Sequence, residues 1–279
     1  MKTITLQELL EAGCHFGHKS ERWHPRAQEF IYTKKDGIHI IDLAKTKQGI
    51  EKAMSYVYET ALSGNTVLFV GTKRQAHDIV KEEATRVGAP YFVSRWVGGF
   101  LTNWDGIKKN IDKTNLMAKQ EVEGAWKIYP KHEQLKLAHH LRKLTIVYEG
   151  VLHLPKPPQA VCIIDVKKEY SAVREALRTN SYILGIVDTN TNPIDVDIAI
   201  PANDDAVGSI TYIVKALADA YMEGREAYQK NLATAKSSLE AKKNIKEPAV
   251  VESKEVKEKI EHVTEKAVKS TKKKTSVTK

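Results

Sequence analysis

The chain has 279 residues, 44 lysines and arginines against 35 aspartates and glutamates, and a formal charge of +9. Two cysteines cannot build a disulfide framework, no apolar run approaches the length of a membrane span, and no secretory leader precedes the first structured segment. Disulfide-stapled and membrane-spanning classes are thereby excluded, and a reducing compartment is expected, the cytoplasm or its equivalent inside an organelle.

The charge is spread unevenly. Residues 230–279 carry 14 lysines and 7 glutamates, whereas residues 1–229 hold 30 cationic side chains against 28 acidic ones. Residues 1–229 are therefore expected to form an α/β domain, and residues 230–279 a solvated tail, disordered or partly helical. A polyanion partner must be bound by charges placed on particular loops, because the domain has no general positive field.

In chain order, the first segment is Gly13-Cys14-His15-Phe16-Gly17-His18-Lys19, continuing through Arg22-Trp23-His24-Pro25-Arg26. It reads as a loop ahead of any strong helix or strand. Charged side chains are rarely buried unpaired and glycine offers no packing surface, so the mixture is poor core material. Cations bind phosphate and flat rings stack on bases or sugars, which suits a loop that grips RNA. Next, Phe30–Thr33 and Ile38–Ile41 flank Asp36-Gly37, a hairpin signal.

Beyond the hairpin, strands and helices alternate. Val67–Val70, Val161–Ile164 and Tyr182–Val187 are short continuous apolar runs, the mark of strands covered on both faces. Tyr91–Val93 and Ile198–Ile200 are weaker strands, and helices fill 43–62, 73–87, 168–179 and 204–229, the last capped by Asn203 or Asp204. Repeated β-α-β units imply a doubly wound parallel sheet. One insertion, 102–155, interrupts it. Helices near 102–125 and 132–151 carry the stripes Trp104, Ile107, Ile111, Ala118, Val122, Ala125 and Leu137, Leu141, Leu144, Tyr148, Val151, an antiparallel helical hairpin.

Ligands of open parallel sheets sit beyond the carboxyl ends of the strands. There Asp165, Asp188, Asp204 and Asp205 offer oxygens to Mg²⁺, yet each also occupies a position where turns and helix starts favour aspartate. Gly71-Thr72-Lys73-Arg74 opens a helix after a strand but has neither dinucleotide-binding nor Walker spacing. Cys14, His15, His18 and His24 match no zinc pattern. No cofactor, metal or small-molecule substrate is expected, and no catalytic residue is assigned.

Five blocks carry a resemblance. The first segment with Gly37–Leu43, Arg95–Asn103, Asp188–Pro193 and Ile200–Ala206 resemble, in order and over residues 5–226, the family of the second protein of the small ribosomal subunit in its bacterial or organellar form. Three departures stand out: Cys14 in place of a small or branched apolar residue, a less glycine-rich end to the arm at Tyr148–Val151, and Tyr129–His132 at the start of its second helix. The resemblance implies a flavodoxin-like sheet with a protruding helical pair and a non-enzymatic structural role. It implies binding of small-subunit ribosomal RNA near the junction of head and body, and contact with other small-subunit proteins, including the large mRNA-binding one. It places RNA contact on His15, His18, Lys19, Arg22, Trp23 and Arg26, and secondarily on Lys34, Lys35, Lys73, Arg74, Arg95, Lys108 and Lys109. Two alternatives stay open: Trp23 as a cover over the edge of the core, and Trp96, Gly98 and Gly99 as a turn that launches the arm.

Overall fold

Four consecutive residues of the strand Val67–Val70 are fully buried, so this strand needs cover on both faces. In the structure, a computed structural model that describes residues 3–234, it is the second strand of a five-stranded parallel sheet. The strands are β4 (Val67–Val70), β5 (Tyr91–Phe92), β6 (Ala160–Ile164), β7 (Tyr182–Val187) and β8 (Ile198–Pro201), in the order β5-β4-β6-β7-β8. The chain leaves β4 for β5 on one side and returns to β6 on the other. That is the flavodoxin-like order, with a topological switch between β4 and β6.

Side-chain alternation along each strand sorts the core into two layers. Val67, Phe69, Cys162, Ile164, Leu184 and Ile186 face one way, onto α2 (Leu43–Leu62), α3 (Arg74–Val87) and α7 (207–228). Leu68, Val70, Val161, Ile163, Ile183 and Val187 face the other, onto α6 (Tyr170–Thr179) and the root of the arm. Each such side chain contributes roughly 1.5–3 kcal/mol by leaving water. α2 lies so close to β8 that a Cβ at Gly49 would stand 2.8 Å from the Ala199 carbonyl oxygen.

Ahead of the sheet, α1 (Leu6–Glu11) leads into a small antiparallel sheet of β1 (Phe16–Lys19), β2 (Ile31–Lys35) and β3 (Ile38–Ile41), in the order β1-β3-β2. The β2–β3 turn places Asp36 and Gly37 both at positive φ, as a two-residue hairpin requires. The N-terminal segment is thus more regular than the expected loop. Thr5 and Glu8 form a reciprocal capping box that starts α1, and β1 pairs with β3.

The insertion is a helical hairpin of α4 (Trp104–Val122) and α5 (Lys131–Tyr148). Its seam differs from the expected stripe: Ile107, Ile111, Thr114 and Met117 are the buried residues of α4, while Val122 is 88% exposed. The helix stops at Val122, and Gly124 at φ +71° turns the chain into a 3-10 segment, Ala125–Ile128. α5 ends at Tyr148, and the expected last turn to 151 is a 3-10 segment, Glu149–Val151, whose Gly150 packs directly on the backbone of Tyr91. α7 begins three residues later than expected, since Asn203 Oδ1 already accepts from the amides of Asp205 and Ala206. The chain divides after Tyr228; residues 229–234 of the second unit are helical, and the rest of the expected tail lies outside the described residues.

Candidate nucleic-acid interface

The N-terminal segment is fastened to the sheet by residues far from it in sequence. Cys14, fully buried, anchors its start, and Asn203 donates from its backbone to the Cys14 carbonyl at 3.2 Å. Along β1, Thr189 receives the His18 amide on its hydroxyl at 2.9 Å, and its carbonyl receives the His24 amide at 2.8 Å. Gly17 is required by this approach: a Cβ there would lie 2.7 Å from Thr189 Cγ2. His24 Nδ1 then accepts from the Arg26 amide and caps the 3-10 turn Pro25–Phe30, whose Ala27 is fully buried.

Beneath this segment lies a charge cluster at the carboxyl ends of the strands. His18 Nδ1 stands 3.0 Å from Asp188 Oδ2 and its Nε2 3.5 Å from Asp205 Oδ2. The hydrogen bond to Asp188 outweighs burial and raises the His18 pKa, favouring the protonated ring. Lys73 Nζ lies 3.1 Å from Asp165, 2.8 Å from Asp204 and 2.7 Å from Asp205. Burial works against its charge, but the bonds to Asp204 and Asp205 prevail and hold its pKa above the ordinary lysine value. Burial, together with Asp165 and Asp188, pushes Asp204 up to about 7 despite Lys73.

The four aspartates therefore do converge, around an ammonium of the chain itself. Lys73 stands where β4 and β6 diverge, the crevice in which this topology receives ligands elsewhere. Among the described residues, His18, Asp188 and Asp204 form the one set whose ligand atoms, all within 4.8 Å of one another, have the composition of a metal site. Asp188 Oδ2 faces His18 and Asp204 Oδ1 faces Lys73, while Asp188 Oδ1 accepts from Thr189 and Asp204 Oδ2 is buried without a hydrogen-bond partner among the described residues.

The sequence-predicted contact residues fall into two groups. His18, Lys73 and Lys108 (3.1 Å from Asp112) are matched internally. Lys19, Arg22, Arg26, Lys34, Lys35, Arg74, Arg95 and Lys109 are exposed, and none has a carboxylate within ion-pair distance among the described residues. Elsewhere on the surface such partners are present: Lys81 meets Glu149, and Arg86 meets Glu83 and Asp219. Trp23 is 37% exposed and lies 5.5 Å from the His39 ring, so it both covers that ring and presents an edge to solvent. Burial lowers the pKa of His15 and of His39, disfavouring the charged rings, and Lys34 adds to the effect at His39.

Trp96 and Gly99 form a structural turn. Glu175 on α6 accepts from the Trp96 indole at 3.1 Å and from the amides of Gly99 at 2.7 Å and Leu101 at 3.1 Å. Sequence reading missed Glu175, Thr189 and His39 as parts of this architecture. For Thr189 the signal was present, because it lies in the block Asp188–Pro193; nothing in the spacing of Glu175 marks it as the clasp of a loop 74 to 79 residues away in the chain.

No helix among the described residues is long and apolar enough to cross a membrane. The profile of the family described as ribosomal protein S2 matches residues 9–224. The chain is 46% identical over 225 residues to the small ribosomal subunit protein uS2 of Synechococcus elongatus, covering 81% of this chain and 90% of that one. It is 44% identical over 229 residues to the protein of the same name from Coprothermobacter proteolyticus, covering 82% and 85%.

Proposed function

Since the chain belongs to the ribosomal protein S2 family, a structural and non-enzymatic family of the small ribosomal subunit, we propose that it binds small-subunit ribosomal RNA near the junction of head and body. Contact is made by the outer face of the N-terminal segment and hairpin. One observation carries this reading: Lys19, Arg22, Arg26, Lys34 and Lys35 are exposed without carboxylate partners among the described residues, on a segment pinned at the carboxyl ends of the sheet strands. Free cations on a fixed scaffold suit phosphates, because binding then costs little ordering entropy. Trp23 adds a flat ring for stacking on a base or sugar.

Arg74, Arg95 and Lys109 are secondary contacts. His18 and Lys73 act one layer below, holding the segment in place through Asp188, Asp204 and Asp205. The same protein docks neighbouring small-subunit proteins, among them the large mRNA-binding one, during translation. Sedimentation of a cell lysate tests the reading. The chain should travel with small subunits at low salt and leave them progressively as salt competes for phosphate. Persistent absence from that fraction would overturn it.

A further inference from the structure

The outward side of α6 carries cations and a ring but no acid. Lys167 just before the helix, then Tyr170, Arg174, Leu177 and Arg178, are all exposed, the last four spaced so that they share one stripe. Tyr170 is 54% exposed, whereas Val173 and Ala176 of the same helix are fully buried against the sheet. The Arg174 guanidinium stands over the Tyr170 ring, 6.0 Å from its centroid, and so holds ring and cation together. Lys167, Arg174 and Arg178 have no carboxylate within ion-pair distance among the described residues. The acids of this region face inward instead. Glu169 is buried and accepts from the Thr72 hydroxyl, and Glu175 holds the turn before the arm. Arg95, exposed beside the Trp96 indole that Glu175 holds, extends the same cationic surface.

We infer that α6 is a second nucleic-acid contact, at which Tyr170 stacks on an unpaired base of small-subunit RNA while Arg174 and Arg178 meet the neighbouring phosphates. It lies across the sheet from the layer that anchors the N-terminal segment, since Cys14 packs with α2, α3 and α7 and α6 packs with the other layer. The inference takes its partner, RNA, from the preceding reading, but none of that reading's primary residues. Charge and order of side chains favour RNA over protein as the occupant. Protein interfaces are depleted of charge at their centre, yet three of these five outward residues are cations. Cation, ring and cation succeed one another along the stripe, as phosphate and base do along a strand. A duplex keeps its bases stacked, so an exposed tyrosine selects a loop, a bulge or a single strand.

The test replaces Tyr170 with the photo-crosslinker p-azidophenylalanine in the full-length chain, irradiates cells, and maps crosslinks in purified small subunits. A crosslink to an unpaired nucleotide of small-subunit RNA is expected; a crosslink to protein alone, or none, overturns the proposal. In parallel, Tyr170→Ala should weaken affinity for purified small-subunit RNA about tenfold, and Tyr170→Phe should retain it. Arg174→Ala combined with Arg178→Ala should make the log–log salt slope shallower by about 1.4 units. Melting temperature should stay nearly constant in all three variants, because the altered side chains are exposed. Unchanged affinity and slope, or a loss that merely follows a lowered melting temperature, overturns the proposal. If these variants weaken binding while Arg22→Ala combined with Arg26→Ala does not, the preceding reading fails and this one stands. The opposite pattern overturns this one alone.

Discussion

His18 reaches from β1 to place its Nδ1 3.0 Å from a carboxylate oxygen of Asp188, just beyond the carboxyl end of β7. This contact joins the N-terminal segment to the parallel sheet, and Asp188 is almost wholly buried. Replacing Asp188 by Asn keeps an oxygen for the Thr189 amide but removes the charge that holds the proton on His18. The expected cost is about 1–3 kcal/mol in urea unfolding at neutral pH, with the His18 titration moving to lower pH by NMR. An unmoved titration would show that Asp188 does not set the state of the ring.

Lys73 faces three carboxylates, two of them largely buried. Lys73→Met should cost about 3–5 kcal/mol, because the acids would face one another without their cation. Lowering the pH should recover part of this loss by protonating Asp204. A substitution that leaves urea unfolding unchanged would mean the cluster contributes no net stability.

The pH dependence has a definite sign. Asp204 releases its proton at about 7 in the folded chain, against an ordinary value of 3.8, and His18 is likewise raised above 6.5. For both groups the folded state holds a proton more tightly than the unfolded state does, so stability falls as pH rises through their folded-state pKa values. Asp205 works the other way, its carboxyl held below its ordinary value once the Lys73 bond overcomes burial, and its contribution is lost in acid. Melting temperature should therefore decline between about pH 4 and 7 as Asp204 loses its proton. A rise over that interval would contradict the cluster as described.

Glu175 clasps the turn that launches the arm through three hydrogen bonds. Glu175→Ala leaves two backbone amides and an indole unpaired, at a cost of about 2–4 kcal/mol. Limited proteolysis should cut between Trp96 and Leu101 faster than in the unaltered chain. Equal cutting rates would show that the turn stands without its clasp.

The fold was legible because its main signals are local and repetitive. Continuous apolar runs in β4, β6 and β7, and Asp36-Gly37 between strands, fix element type by period and turn chemistry. The arm seam was half legible: its stripe runs correctly through Ile107 and Ile111 but fails at Val122, where the helix ends and Trp126 replaces it in the tip core. α1 was announced by Thr5 and Glu8, a capping box overlooked beside the stronger composition of the following segment. The charge cluster could not be read from spacing. His18, Lys73, Asp165, Asp188 and Asp204 come from five strand ends, and only the sheet order brings them together. For the same reason sequence alone could not separate Lys73, matched internally, from Lys34, which has no carboxylate within ion-pair distance among the described residues.

The central claim is that outward cations of the N-terminal segment bind RNA backbone while contributing little to folding. Affinity of the full chain for purified small-subunit RNA, measured across a salt series, tests it with Arg22→Ala combined with Arg26→Ala. Weaker binding is predicted, with a log–log salt slope shallower by about two units and melting temperature nearly unchanged. Affinity and slope equal to the unaltered chain, or a large loss of melting temperature, would contradict the account.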